Sequence, residues 1–202
     1  MKTSYLTIQQ ASEAEFKDRG SRFLAYAFPV SSLLEIKKHI STLKLMHPKA
    51  VHYCLAWRLG HEGAHYRVID DGEPVGSAGR PILGQIDSMQ LTNVLVVVVR
   101  YFGGTLLGVP GLIQAYKTAT HEALQKAILI EKLITKSFLI RFDYPQMNEV
   151  IKYIHTLKAE IAQREMALFC EWKIEVPLET LALLNTPPYA LQIEIVALET
   201  SQ

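Results

Sequence analysis

Six consecutive apolar residues, Val94-Leu95-Val96-Val97-Val98-Val99, lie between two glycine-rich stretches. The run is short and β-branched, so it reads as a strand. Its lack of alternation means that both of its faces are covered, which places it at the centre of a sheet. Before it comes Asp70-Asp71-Gly72-Glu73-Pro74-Val75-Gly76-Ser77-Ala78-Gly79-Arg80-Pro81, and after it Arg100-Tyr101-Phe102-Gly103-Gly104, then Gly108-Val109-Pro110-Gly111. Eight of the chain's eleven glycines fall between residues 69 and 117. Glycine in that density marks backbone that bends tightly or approaches a partner closely.

Each glycine stretch opens a helix at a proline, Pro81 and Pro110, because a first helical residue has no N–H bond to lose. Helix starts expose free N–H groups and a positive dipole end, which favour anions. Arg80 and Arg100 stand beside these loops and Lys117 follows on the second helix, whose apolar positions are Leu112, Ile113, Tyr116, Ala119, Ala123 and Leu124. Its other face carries Gln114, Lys117, Thr118 and His121. Asp70, Asp71 and Glu73 put three carboxylates within four residues. They suit turn chemistry, salt bridges to Arg80 and Arg100, general acid–base chemistry or a magnesium site completed by phosphate. The glycine spacing matches neither a phosphate loop nor a dinucleotide fingerprint.

The chain on either side reads in order. Residues 3–10 and 22–30 are strands, with polar residues 13–20 forming a loop and part of the second strand. Ser31 or Ser32 caps a helix with apolar Leu33, Leu34, Ile36, Ile40 and Leu43, ended by His47-Pro48. Residues 50–59 and 64–70 form a hairpin around Gly60-His61-Glu62-Gly63. His61 and His65 flank a glycine turn, which does not present them as metal ligands. His52 either faces the glycine loops or is a structural histidine bonded to backbone. Cys54 reads as a small buried hydrophobe, since no activating partner is evident. From residue 137 a second pattern begins: strand 137–143, helix 145–157, strands 160–164 and 169–176, helix 177–184 and strand 191–198. This βαββαβ order is ferredoxin-like, and it carries no recognisable chemistry.

Charge separates the same two parts. Residues 1–136 hold 16 lysines and arginines against 11 aspartates and glutamates, a net +5, while residues 137–202 hold 5 against 9, a net −4. A polyanion site therefore belongs in the first part. Two cysteines, one in each part, do not make a disulfide framework. No leader-like start and no apolar run near the roughly 20 residues needed to span a bilayer are present, so a soluble cytoplasmic protein without membrane contact is expected.

The segments Asp70-Asp71-Gly72-Glu73-Pro74, Ala78-Gly79-Arg80-Pro81-Ile82-Leu83, and Val97 through Thr105 to Gly111-Leu112-Ile113-Gln114-Ala115-Tyr116 resemble the signature of the YigZ/Impact family. His52 with Cys54 and Ser21-Arg22-Phe23-Leu24-Ala25 fit the same pattern. One departure is Gln114, where the family tends to carry a basic residue. The resemblance implies an α+β fold. Residues 1–133 would be an Impact-type α/β sandwich like the second domain of a small-subunit ribosomal protein. Residues 137–202 would be a ferredoxin-like domain similar to the C-terminal domain of elongation factor G. Eukaryotic Impact proteins look like translational regulators, so the resemblance implies a non-enzymatic accessory factor near translation. Its expected partner is the ribosome, RNA or a translation-associated protein, and no cofactor is implied. The expected contact residues are His52, Asp71, Glu73, Arg80, Arg100, Tyr101, Gly103, Gly104 and Lys117. The competing expectation is a magnesium-dependent enzyme or binder of a small phosphorylated metabolite.

Overall fold

A computed structural model describes residues 2–188 and 191–198. The chain divides into two compact units, residues 5–132 and residues 1–4 with 133–202. In the first, the strands are β1 (Ser4–Ile8), β2 (Ser12–Asp18), β3 (Ser21–Pro29), β4 (His52–Leu59), β5 (His65–Ile69), β6 (Val94–Tyr101) and β7 (Leu129–Leu133). The helices are α1 (Leu33–Met46), α2 (Gly79–Ser88) and α3 (Gly108–Gln125). Strands β1 and β7 pair with each other, and the remaining five form one sheet in the order β2-β3-β6-β4-β5.

The apolar run is the middle strand of that sheet. It pairs antiparallel with β3 on one side and β4 on the other. Alternate residues face opposite layers. Val94, Val96 and Val98 pack with Ile82, Ile86, Leu112 and Tyr116 of α2 and α3. Leu95, Val97 and Val99 pack with Ile36 and Leu43 of α1. Continuous apolarity thus reports double coverage in a wholly antiparallel sheet.

Two local expectations are corrected. Residues 12–18 are a separate edge strand, where residues 13–20 were expected to form a loop and part of the strand that follows. Their charges mislead because Glu13, Glu15 and Lys17 face out while Ala14 and Phe16 face the core, the pattern of a protected edge. On α3, Ile113 is exposed, and Ala115 takes the core position in its place.

The second unit contains β8 (Thr135–Phe142), α4 (Met147–Thr156), β9 (Glu160–Met166), β10 (Cys170–Pro177) and β11 (Glu194–Ala197). The sheet order is β11-β8-β10-β9, with every neighbour antiparallel, as a ferredoxin-like arrangement requires. The expected helix at residues 177–184 is a 3-10 helix over Leu178–Asn185. One face of the sheet buries Ile140, Phe142, Trp172 and Ile174 with Val150, Tyr153 and Ile154 of α4.

Candidate functional site

Register brings the site together. Arg100, near the end of β6, lies opposite Phe23 on β3 and opposite His52 on β4. These side chains share the sheet face covered by α2 and α3, so the ends of three strands meet the two glycine loops there.

The centre of the site is the Glu73 carboxylate. Its Oε1 accepts from Arg100 Nη1 at 2.6 Å and from the Tyr116 hydroxyl at 2.7 Å. The Glu73 and Arg100 side chains are 3% and 6% exposed, so this is a buried ion pair. Of the salt bridges considered for the carboxylates, the one to Arg100 forms from Glu73, and this expected contact residue is buried, with its guanidinium 5.3 and 5.6 Å from the ring centroids of Phe23 and Phe102. Cys54 Sγ lies 2.9 Å from the Asp70 carbonyl and 3.2 Å from the Tyr116 hydroxyl. Burial pushes the Cys54 thiol and the Tyr116 phenol far above their ordinary values, so both stay protonated at neutral pH. A thiol held in that way is no nucleophile.

The three carboxylates separate onto three sets of partners. Asp70 accepts from the N–H groups of Gly76, Ala78 and Gly79 at 2.9, 3.1 and 2.8 Å, and so caps α2 from outside the helix. Burial alone raises its pKa, but those three N–H groups and Arg80 outweigh it and hold the carboxyl below its ordinary value. Asp71 Oδ2 accepts from the Tyr53 N–H at 2.7 Å, with its own backbone at φ 44°. His52 Nδ1 donates to the Asp71 carbonyl at 2.7 Å, which leaves Nε2 3.9 Å from Glu73. Among the described residues no group of three or more histidines, cysteines and carboxylates is placed to hold a metal ion.

The glycines have different tasks. A Cβ on Gly103 would sit 1.9 Å from the Gly20 carbonyl carbon, so the second loop lies directly on the β2–β3 turn. The Gly103 N–H donates to Ser21 Oγ at 3.1 Å, fixing that contact. Gly104 has φ +86° and open space around its Cβ position, so it serves the turn and not close packing.

The expected contact residues therefore fall into groups. His52, Asp71, Glu73 and Arg100 are joined in the network beneath the loops. Gly103 and Gly104 shape the second loop. Arg80 and Lys117 are exposed at its margin, with the Arg80 stem against Gly76. Tyr101 is separated from the rest. It follows Arg100 in the strand, so it points to the opposite sheet face, where its hydroxyl meets His47 Nδ1 at 3.0 Å. Strand alternation alone could have revealed that. Tyr116, Ser21 and Gly20 were missed as site residues. For the first, the signal was a hydroxyl on the buried stripe of α3 that needs a partner.

The Impact N-terminal domain profile matches residues 19–124, the segment that builds this site. The chain is 31% identical over 188 residues to the IMPACT family member YvyE of Bacillus subtilis (strain 168), covering 86% of this chain and 87% of that one. It is 35% identical over 119 residues to the Protein IMPACT homolog of Saccharomyces cerevisiae (strain S288c), covering 54% of this chain and 43% of the other. A crystal structure of a hypothetical protein superposes with a TM-score of 0.75 at 24% identity, over 99% of this chain and all of that one. The chain belongs to the Impact family. Among the described residues no helix is long and apolar enough to cross a membrane.

Proposed function

We propose that this protein is a non-enzymatic regulator or accessory factor of translation, and that it meets the ribosome, RNA or a translation-associated protein through the glycine-rich face of its first unit. Family membership supports the translation setting, since eukaryotic Impact proteins resemble translational regulators. The observation that carries the mode of action is the buried network around Glu73. Carboxylate, phenol, thiol and the Nη1 of the guanidinium are bonded to one another or to backbone there, and Arg100 Nε is left buried without a partner. Groups spent on each other in this way hold two loops in one shape. They do not leave an acid, a base or a nucleophile poised for substrate.

Co-sedimentation of the full chain with ribosomes at low and high salt tests this. Arg80→Ala/Lys117→Ala is the informative variant, because both side chains are exposed. Salt-sensitive association weakened in the variant is the expected result. Absence of association at low salt overturns the reading. Magnesium-dependent binding of a nucleotide in calorimetry replaces it with the metabolite reading.

A further inference from the structure

Exposed aliphatic side chains scattered singly are ordinary, but several on one pair of loops are not. On the first loop Val75 is 97% exposed and on the second Leu106 is 82% exposed. On α3, Val109 and Ile113 are also exposed, and Lys117 continues the same spacing of four. Residues four apart lie on one helix face, so α3 presents an apolar stripe ending in a cation. Val75 is two residues from Glu73 and Ile113 is three from Tyr116. Glu73 and Tyr116 are hydrogen-bonded to each other. That bond ties the first loop to α3, and Leu106 lies two residues before α3 begins at Gly108, so Val75, Leu106 and the stripe are carried by adjoining segments. Arg80 borders the first loop on the α2 side, its stem 3.7 Å from the Gly76 Cβ position.

We propose that this surface docks an acidic protein segment carrying apolar side chains, and that it does not take RNA. The inference rests on the proposed function and names the partner class for the same face. Charge and chemistry both favour protein. On the two loops and α3 the exposed lysines and arginines are Arg80 and Lys117, since Arg100 is buried in its ion pair, and the adjoining β2–β3 turn adds Arg19 and an Arg22 paired with Glu15. Tight phosphate-backbone binding draws on about 6–10 such contacts. Base stacking draws on several free aromatic faces, yet Tyr101 lies on the other side of the sheet and Phe102, 47% exposed with the Arg100 guanidinium 5.6 Å from its centroid, is the single exposed aromatic side chain of the two loops. Exposed aliphatic side chains add nothing to phosphate binding. Beside two cations, they suit a partner with leucine-like and carboxylate side chains.

Fluorescence anisotropy with the full chain tests the inference. The probes are a 16-residue amphipathic peptide of leucine and glutamate, the same peptide with lysine for glutamate, and a 20-nucleotide single-stranded RNA. The leucine–glutamate peptide is expected to bind at least about tenfold more tightly than either other probe. Val75→Ser/Leu106→Ser should weaken it about tenfold, the loss of hot-spot apolar contacts. Arg80→Ala/Lys117→Ala should weaken it a few-fold. Both substituted pairs are exposed, so folding is retained. Tighter binding of RNA, equal binding of both peptides, no binding of the glutamate peptide, or indifference to Val75→Ser/Leu106→Ser overturns the inference. Ribosome co-sedimentation of the same variants separates the two readings. If ribosome association persists in Val75→Ser/Leu106→Ser and RNA is the probe that binds, the protein-partner inference falls while the translation reading stands. If ribosome association is absent while the glutamate peptide binds as expected, the reverse holds.

Discussion

The two units use charge in opposite ways. Around Glu73 the ion pair is buried, shared with a tyrosine hydroxyl, and connects residues distant in sequence. On the second unit's sheet, Arg141 and Glu171 face each other across β8 and β10, 42% and 26% exposed, with Glu194 of β11 3.4 Å from the same arginine. The first arrangement is costly to break, because each partner left alone is a desolvated charge. The second exchanges one watery environment for another. A buried pair therefore fixes the shape of two loops, whereas a surface pair only decorates a sheet that apolar packing already holds together.

Substitution separates these cases directly. Glu73→Ala strands Arg100 and the Tyr116 hydroxyl in the core and should cost about 3–5 kcal/mol. Chemical denaturation of that variant reads the loss, and a cost below about 1 kcal/mol would remove the distinction between the units. Gly103→Ala comes next, at about 1–3 kcal/mol, because the new methyl overlaps the Gly20 backbone. Gly104→Ala meets nothing, and its cost is only that of a positive φ, about 1 kcal/mol. Equal losses at the two glycines would contradict the close approach of the second loop to the β2–β3 turn.

Asp70→Ala removes the capping carboxylate of α2 and should cost about 0.5–2 kcal/mol at pH 7. Its pH dependence sharpens the comparison. The folded-state pKa of Asp70 is depressed, so its contribution is present above the unfolded value of about 3.9. That contribution is lost as pH falls through the lower folded value. The difference between wild type and Asp70→Ala should therefore be constant above about pH 5 and shrink on further acidification. A difference that grows on acidification would show that the carboxylate is not held ionised by the loop. Arg141→Ala completes the series with the smallest effect, below about 1 kcal/mol and further reduced by salt. A loss as large as that of Glu73→Ala would make the surface pair structural after all.

Several features of the site were within reach of sequence alone. The apolar run announced the central strand, and the glycine density announced two tight loops beside it. Of the salt bridges considered, Glu73 to Arg100 forms, while Asp70 and Asp71 bind backbone N–H groups. Composition near a loop suggests solvent, and only packing shows that Phe23 and Phe102 enclose the Arg100 guanidinium. Ile113 was assigned to the core of α3 because an apolar residue next to Leu112 fits a broad stripe. The helix rotates it outward, and with Val75 and Leu106 it becomes the most informative surface feature.

By itself the sequence determined the family, the ferredoxin-like pattern of the second unit and the elements of the first other than β2 and β7. Local propensity and apolar periodicity act over a few residues, and those properties need nothing more. Which glycine packs against Gly20, which carboxylate is buried, and which of Arg100 and Lys117 reaches solvent were decided by the tertiary structure. Each of these depends on a contact between residues far apart in the chain, such as the 27 positions from Glu73 to Arg100 or the 43 from Glu73 to Tyr116. Strand register and helix rotation bring such pairs together, and no local pattern encodes the distance between them.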